Sequence, residues 1–158
     1  MSRALTPTLL PHRPPFLFVD EILRLEDQRI VTRWTAKPDA DFFRGHYPGN
    51  PIVPAVLLCE CCFQSGALLL MNLSNNPSSV VDRVIEPTFS PPLPLVTRIG
   101  DARFKRMVTP GQAVEVEVTL DDTLDQAYFL TGRATVNGRL AARVTFACTL
   151  AHPTGEDP

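Results

Sequence analysis

The stretch 42–73, FFRGHYPGNPIVPAVLLCECCFQSGALLLMNL, limits what this chain can fold into more than any other. It opens as a loop shaped by Gly45, Pro48, Gly49, Pro51 and Pro54, and continues as an apolar run. Pro54 suits the first turn of a helix, where a missing N–H costs nothing. The helix is expected to run from there to 71–73. It is apolar nearly all round, so other structure must sheathe it. Between Arg44 and Asp82 the only formally charged residue is Glu60. Burying a lone carboxylate costs several kcal/mol unless it is paired or protonated.

The segments around the helix read as strands. Residues 15–25 (PFLFVDEILRL) and 30–36 (IVTRWTA) are two, with a short helical turn expected over 38–43. A Pro-rich connector, 74–94, follows the helix and reads equally as a lid, an interface segment or a surface excursion. Strands are then expected over 95–108, bulged at Gly100, and over 113–120, 126–136 and 139–151. In 113–120, Val114, Val116, Val118 and Leu120 share one face and Glu115, Glu117 and Thr119 the other. Thr109-Pro110-Gly111-Gln112 is a turn, and Asn137-Gly138 is the strongest hairpin signal. Residues 1–14 read as an extended arm and 152–158 as a frayed tail. One sheet must therefore cover one helix. The expected class is α+β, a single hot-dog domain over 1–158 in which a curved antiparallel sheet wraps a central helix. An open sheet edge invites a second copy, so a homodimer is expected.

Composition removes several function classes. The formal net charge is −2 and Lys and Arg are scattered, so no nucleic-acid partner is expected. Glu60 and Gln64 in mid-helix argue for a buried helix over a membrane span, and no leader is apparent, which points to the cytoplasm. Cys59, Cys61 and Cys62 point in different directions on a helix. With Cys148 they read as reduced core thiols, with no metal site.

Glu60 and Gln64 lie four apart and share a helix face with Val56, Leu57, Ala67 and Met71. Gln64 is placed to hold the Glu60 carboxyl, and burial favours the protonated acid. His46, fourteen residues before Glu60, is of a type suited to a base at neutral pH. The N–H of Ala55, at the helix start, is a donor for a polarised carbonyl. A base, an acid and an oxyanion donor beside an apolar cavity suit dehydration of a 3-hydroxy carbonyl compound. The same residue types also suit a structural histidine in a Pro/Gly loop.

Gly45-His46-Tyr47-Pro48-Gly49-Asn50-Pro51-Ile52-Val53-Pro54, running through Val56-Leu57-Leu58 to Glu60 and Gln64, resembles the signature of the FabZ-type 3-hydroxyacyl-[acyl-carrier-protein] dehydratases. Leu10-Pro11-His12-Arg13-Pro14-Pro15-Phe16-Leu17-Phe18-Val19-Asp20 is similar to that family's N-terminal motif. So is Ala102-Arg103-Phe104-Lys105-Arg106 followed by Val108 and Pro110-Gly111. The resemblance implies the hot-dog fold, a dimer or trimer of dimers, and neither metal nor organic cofactor. It implies a site shared between chains. His46 removes the C2 proton, Glu60 protonates the departing C3 hydroxyl, and the Ala55 N–H polarises the thioester carbonyl. Tyr47, Pro54, Val56 and Phe63 belong to the substrate loop or tunnel. Arg103, Lys105 and Arg106 are set to dock an acidic acyl-carrier protein, against the alternative of a solvated strand face. His12 and Arg13 read as structural and His152 as inert. The chain departs from the family at Ala55, where Gly is usual, at Pro14, where an aromatic is usual, at Phe63 with its neighbouring cysteines, and in its longer 74–94 segment. A hot-dog thioesterase and a non-catalytic acyl-binding module are the competing readings.

Overall fold

A computed structural model describes residues 10–74 and 92–151. The elements run β1 (Glu21–Glu26), β2 (Arg29–Thr35), a 3-10 turn (Asp41–Arg44), α1 (Ala55–Ser74), β3 (Leu93–Phe104), β4 (Ala113–Leu124), β5 (Ala127–Val136) and β6 (Arg139–Ala151). The six strands form one antiparallel sheet in the order β1-β2-β4-β5-β6-β3. α1 packs against β2 through β6. This is the α+β hot-dog arrangement.

Alternation decides which face meets the helix. In β4, Val114, Val116 and Val118 are fully buried, whereas Glu115 and Glu117 face outward and pair with Arg33 and Arg29. At the β5–β6 turn, Asn137 and Gly138 take φ of 50° and 72°, the two positive values of a type I′ hairpin. Most of α1 is covered by the sheet, although its length and apolarity would suit a membrane span. The Ser65 hydroxyl donates to Cys61 O at 2.7 Å, so the Thr32 hydroxyl donates to it at 2.8 Å and ties α1 to β2. All four cysteines are free and buried, and burial pushes the Cys148 thiol up to about 12.

At Gly132 the β5 backbone approaches α1 closely. A methyl there would lie 2.6 Å from Cys62 Cβ and 2.7 Å from its Sγ. Gly132→Ala is therefore expected to cost about 1–3 kcal/mol, read as a fall in the denaturation midpoint. An unchanged midpoint would mean that α1 can move off the sheet at no cost.

The structure corrects several boundaries. Residues 15–20 are irregular, and the first strand starts at Glu21. Gln64 explains the difference: it takes the Phe18 N–H on Oε1 at 2.8 Å and donates to Phe16 O at 3.3 Å, occupying groups a strand ladder would need. β3 spans Leu93–Phe104 and stops short of 108, because Lys105 N and Arg106 N both converge on Ala141 O at 2.7 and 3.3 Å. The β3 register shifts between Ile99 and Ala102, around Gly100, where the Thr145 hydroxyl accepts the Asp101 N–H at 2.9 Å. A second shift lies between Val96 and Arg98. β4 continues to Leu124, beyond 120. The early helical turn is the 3-10 segment Asp41–Arg44, and α1 begins one residue after Pro54, whose carbonyl accepts the Leu57 N–H at 2.9 Å. The arm at 1–9, most of the connector (75–91) and the tail with His152 lie outside the described residues.

Candidate active site

The loop 46–52 closes on itself and presents His46. His46 O accepts the Ile52 N–H at 3.1 Å, and His46 Nδ1 lies 2.9 Å from Ile52 O. A carbonyl oxygen can only accept, so Nδ1 carries the proton and Nε2 keeps its lone pair. One residue thus holds both the ring, through its carbonyl, and the His46 backbone, through its N–H, and leaves the basic nitrogen unused. Tyr47 packs on the ring at 4.4 Å between centroids, across a cis peptide. The loop is anchored by Val53 N, which donates to Val108 O at 2.8 Å.

His46 and Tyr47 line a cavity of ≈ 590 Å³ with Ala55, Leu58, Phe104, Lys105, Arg106 and Met107. Ala55 is the first residue of α1, and its N–H has no acceptor among the described residues. That places an unpaired helix N-terminal donor in the same cavity as the histidine. Phe104 and Met107 supply exposed apolar surface beside it, 46% and 68% accessible. Arg103 does not line the cavity and pairs with Asp101 at 2.8 Å.

Glu60 is not in this cavity. Leu58, which is, leaves the helix about 200° away from Glu60, because each residue turns the helix by about 100°. Gln64 Nε2 donates to Glu60 Oε1 at 3.1 Å, and His12 Nε2 stands 3.7 Å from the same oxygen. Burial pushes the Glu60 carboxyl up, and the Gln64 amide and His12 pull it part of the way back. A raised carboxyl holds its proton closer to neutral pH, which suits an acid. Val56, one turn before Glu60, is 71% exposed, so this face of α1 is open at its N-terminal end. Phe63 packs edge-on against Phe146 at 4.9 Å. Pro54 caps the loop–helix junction and does not line the cavity.

Within one chain, then, the histidine with the helix N-terminus and the carboxyl with Gln64 form two candidate half-sites on opposite sides of α1. Two features escaped the sequence reading. Phe104, the last residue of β3, and Met107, in the segment after it, join the cavity, which periodicity does not encode. His12, read as structural, stands against Glu60; its place in the first motif was the only signal. Among the described residues no group of three or more His, Cys, Asp or Glu is arranged to hold a metal ion.

The FabA-like domain family matches residues 10–145. The 3-hydroxyacyl-[acyl-carrier-protein] dehydratase FabZ of Anaeromyxobacter sp. (strain K) is 37% identical over 144 residues, 90% of this chain and 86% of that protein. FabZ of Symbiobacterium thermophilum is 34% identical over 151 residues, 95% of this chain and 97% of that protein. Among solved structures, the dehydratase heterocomplex ApeI:P from Xenorhabdus doucetiae superposes with a TM-score of 0.70 at 13% identity, covering 96% of this chain and 94% of that one. A hypothetical thioesterase from Streptococcus pneumoniae superposes with a TM-score of 0.61, also at 13% identity, over 82% of this chain and 86% of that one. These two share the fold. The family match over most of the chain and the full-length relatives make the assignment: this chain belongs to the FabA-like family, among its FabZ-type 3-hydroxyacyl-[acyl-carrier-protein] dehydratases.

Proposed function

We propose that the protein removes water from a (3R)-3-hydroxyacyl thioester carried on acyl-carrier protein, giving the trans-2-enoyl thioester, in fatty acid or related biosynthesis. The observation that carries this reading is His46, locked by Ile52 with a free Nε2 lone pair beside the open Ala55 N–H. His46 takes the proton from C2. The Ala55 N–H stabilises the negative charge that develops on the thioester oxygen. As the C2–C3 double bond forms, the C3–O bond breaks and Glu60 gives its proton to the departing hydroxyl, which leaves as water. His46 ends protonated and Glu60 ionised, and solvent exchange resets both.

Because the half-sites lie on opposite sides of α1, the working unit is a homodimer, or a trimer of dimers, in which His46 of one copy meets Glu60 of the other. The twelve-residue edge strand β3, with Leu95, Val96 and Ile99 exposed, supports such pairing. Lys105 and Arg106, which line the His46 cavity, and Arg103 beside them suit an acidic carrier protein. Tyr47, Pro54, Val56 and Phe63 belong to the acyl path. The chain acts as one domain, in the cytoplasm, without metal or organic cofactor.

The test is an assay of hydration and dehydration across acyl lengths on carrier protein and on coenzyme A. Reversible loss and gain of the conjugated enoyl thioester is expected. Release of free thiol without hydration would indicate a thioesterase instead. Tight binding with no turnover at any length would indicate an acyl-binding module.

A further inference from the structure

The buried carboxyl has a neighbour that the reaction described above leaves unused. His12 Nε2 stands 3.7 Å from Glu60 Oε1, the oxygen that already accepts from Gln64 Nε2 at 3.1 Å. Gln64 cannot be reversed, because its own Oε1 takes the Phe18 N–H at 2.8 Å. Glu60 Oε1 is therefore approached by a donor amide on one side and an imidazole edge on the other. His12 Nδ1 is buried and has no hydrogen-bond partner among the described residues. An N–H there would find no acceptor, so the ring's proton belongs on Nε2, facing Glu60. The ring is held in place from its own segment: Arg13 Nη1 donates to Leu10 O and His12 O at 2.7 and 2.8 Å, and Phe16 stacks on the imidazole. An orphaned buried nitrogen costs about 1–3 kcal/mol, which a residue kept only for packing would not incur.

We propose that His12 is a positioning residue for the acid step: with Gln64 it reserves Glu60 Oε1 as an acceptor, so the carboxyl proton is carried on Oε2 and presented to the substrate. This rests on the dehydratase reading, in which Glu60 is the acid. The other titratable groups near Glu60 are the Cys59 and Cys61 thiols of α1, both pushed up by burial, and, in the proposed dimer, His46 of the second copy. Among the described residues, His12 is thus the side chain that, beside Gln64, one chain sets against Glu60 Oε1. An Nε2–H facing Glu60 Oε1 favours the carboxylate over the neutral acid, so the ring lowers the pH above which Glu60 ceases to be an acid.

The experiment compares His12→Leu and His12→Gln with the parent protein in steady-state dehydration over a pH series, with thermal melting as a control. In His12→Leu, kcat is expected to fall about tenfold with KM within about twofold, and the falling alkaline limb of kcat to move to higher pH. His12→Gln retains an N–H donor on a more flexible side chain, so it should recover part of kcat and move the limb less. If His12→Leu does not fold, His12→Gln alone reads the limb. An unmoved limb in a folded variant overturns the proposal, because a packing role changes melting and not the titration of Glu60. Glu60→Gln separates the two levels. If it is inactive while the His12 variants match the parent protein, only the role of His12 fails. If Glu60→Gln is fully active, the dehydratase reading fails and takes this inference with it.

Discussion

Replacing His46 by Ala, or Glu60 by Gln, is expected to lower kcat for dehydration by about 10²–10⁴-fold or more, with the fold intact. Each change removes one proton-transfer group and little else. The His46 ring contributes one hydrogen bond, to Ile52 O, and the loop keeps its backbone closure from Ile52 N to His46 O. Glu60→Gln keeps the shape of the side chain and an acceptor for Gln64 Nε2, so the α1 face stays satisfied. It removes only the titratable proton of Glu60, whose carboxyl burial pushes up. Circular dichroism and melting should therefore match the parent protein while hydration of a crotonyl thioester disappears. Full activity in either variant would contradict the assignment of base or acid.

Breaking the β3 edge is expected to be nearly as damaging. Leu95 and Ile99 are 49% and 56% exposed on a strand whose outer edge has no partner among the described residues. Covering the exposed half of such side chains recovers about 1 kcal/mol each, and an aspartate in either place would have to be desolvated. The double variant Leu95→Asp with Ile99→Asp should sediment as a monomer. A monomer holds the His46 half-site and the Glu60 half-site on opposite sides of α1, so activity should fall about 100-fold or more although the fold survives. A fully active monomer would place the whole site within one chain. A dimer that persists would place the interface elsewhere.

The sequence carried most of this architecture because its signals are local. Alternation in β4, the Asn137-Gly138 turn and the apolar run of α1 each state their own geometry. Segment 15–20 misled because its apolar residues suit a strand, while its backbone is claimed by Gln64, a residue far along the chain. No pattern within the segment reveals that. The site divides the same way. His46, Glu60, Gln64 and Ala55 could be read from residue type and spacing, and Gln64 does reach Glu60 one helical turn away. What spacing could not give was that the His46 cavity opens on the Leu58 side of α1, away from Glu60, or the return of the N-terminal segment that sets His12 on the carboxyl.

That separation makes one mixing experiment decisive. His46→Ala and Glu60→Gln chains, each inactive alone, are denatured together in equal amounts, refolded and assayed. If each site joins His46 of one copy to Glu60 of the other, a mixed dimer holds one intact site. Half of the dimers are mixed, so about a quarter of the parent activity should return. If both residues act within a single chain, no combination restores a complete site and the mixture stays as inactive as its parts.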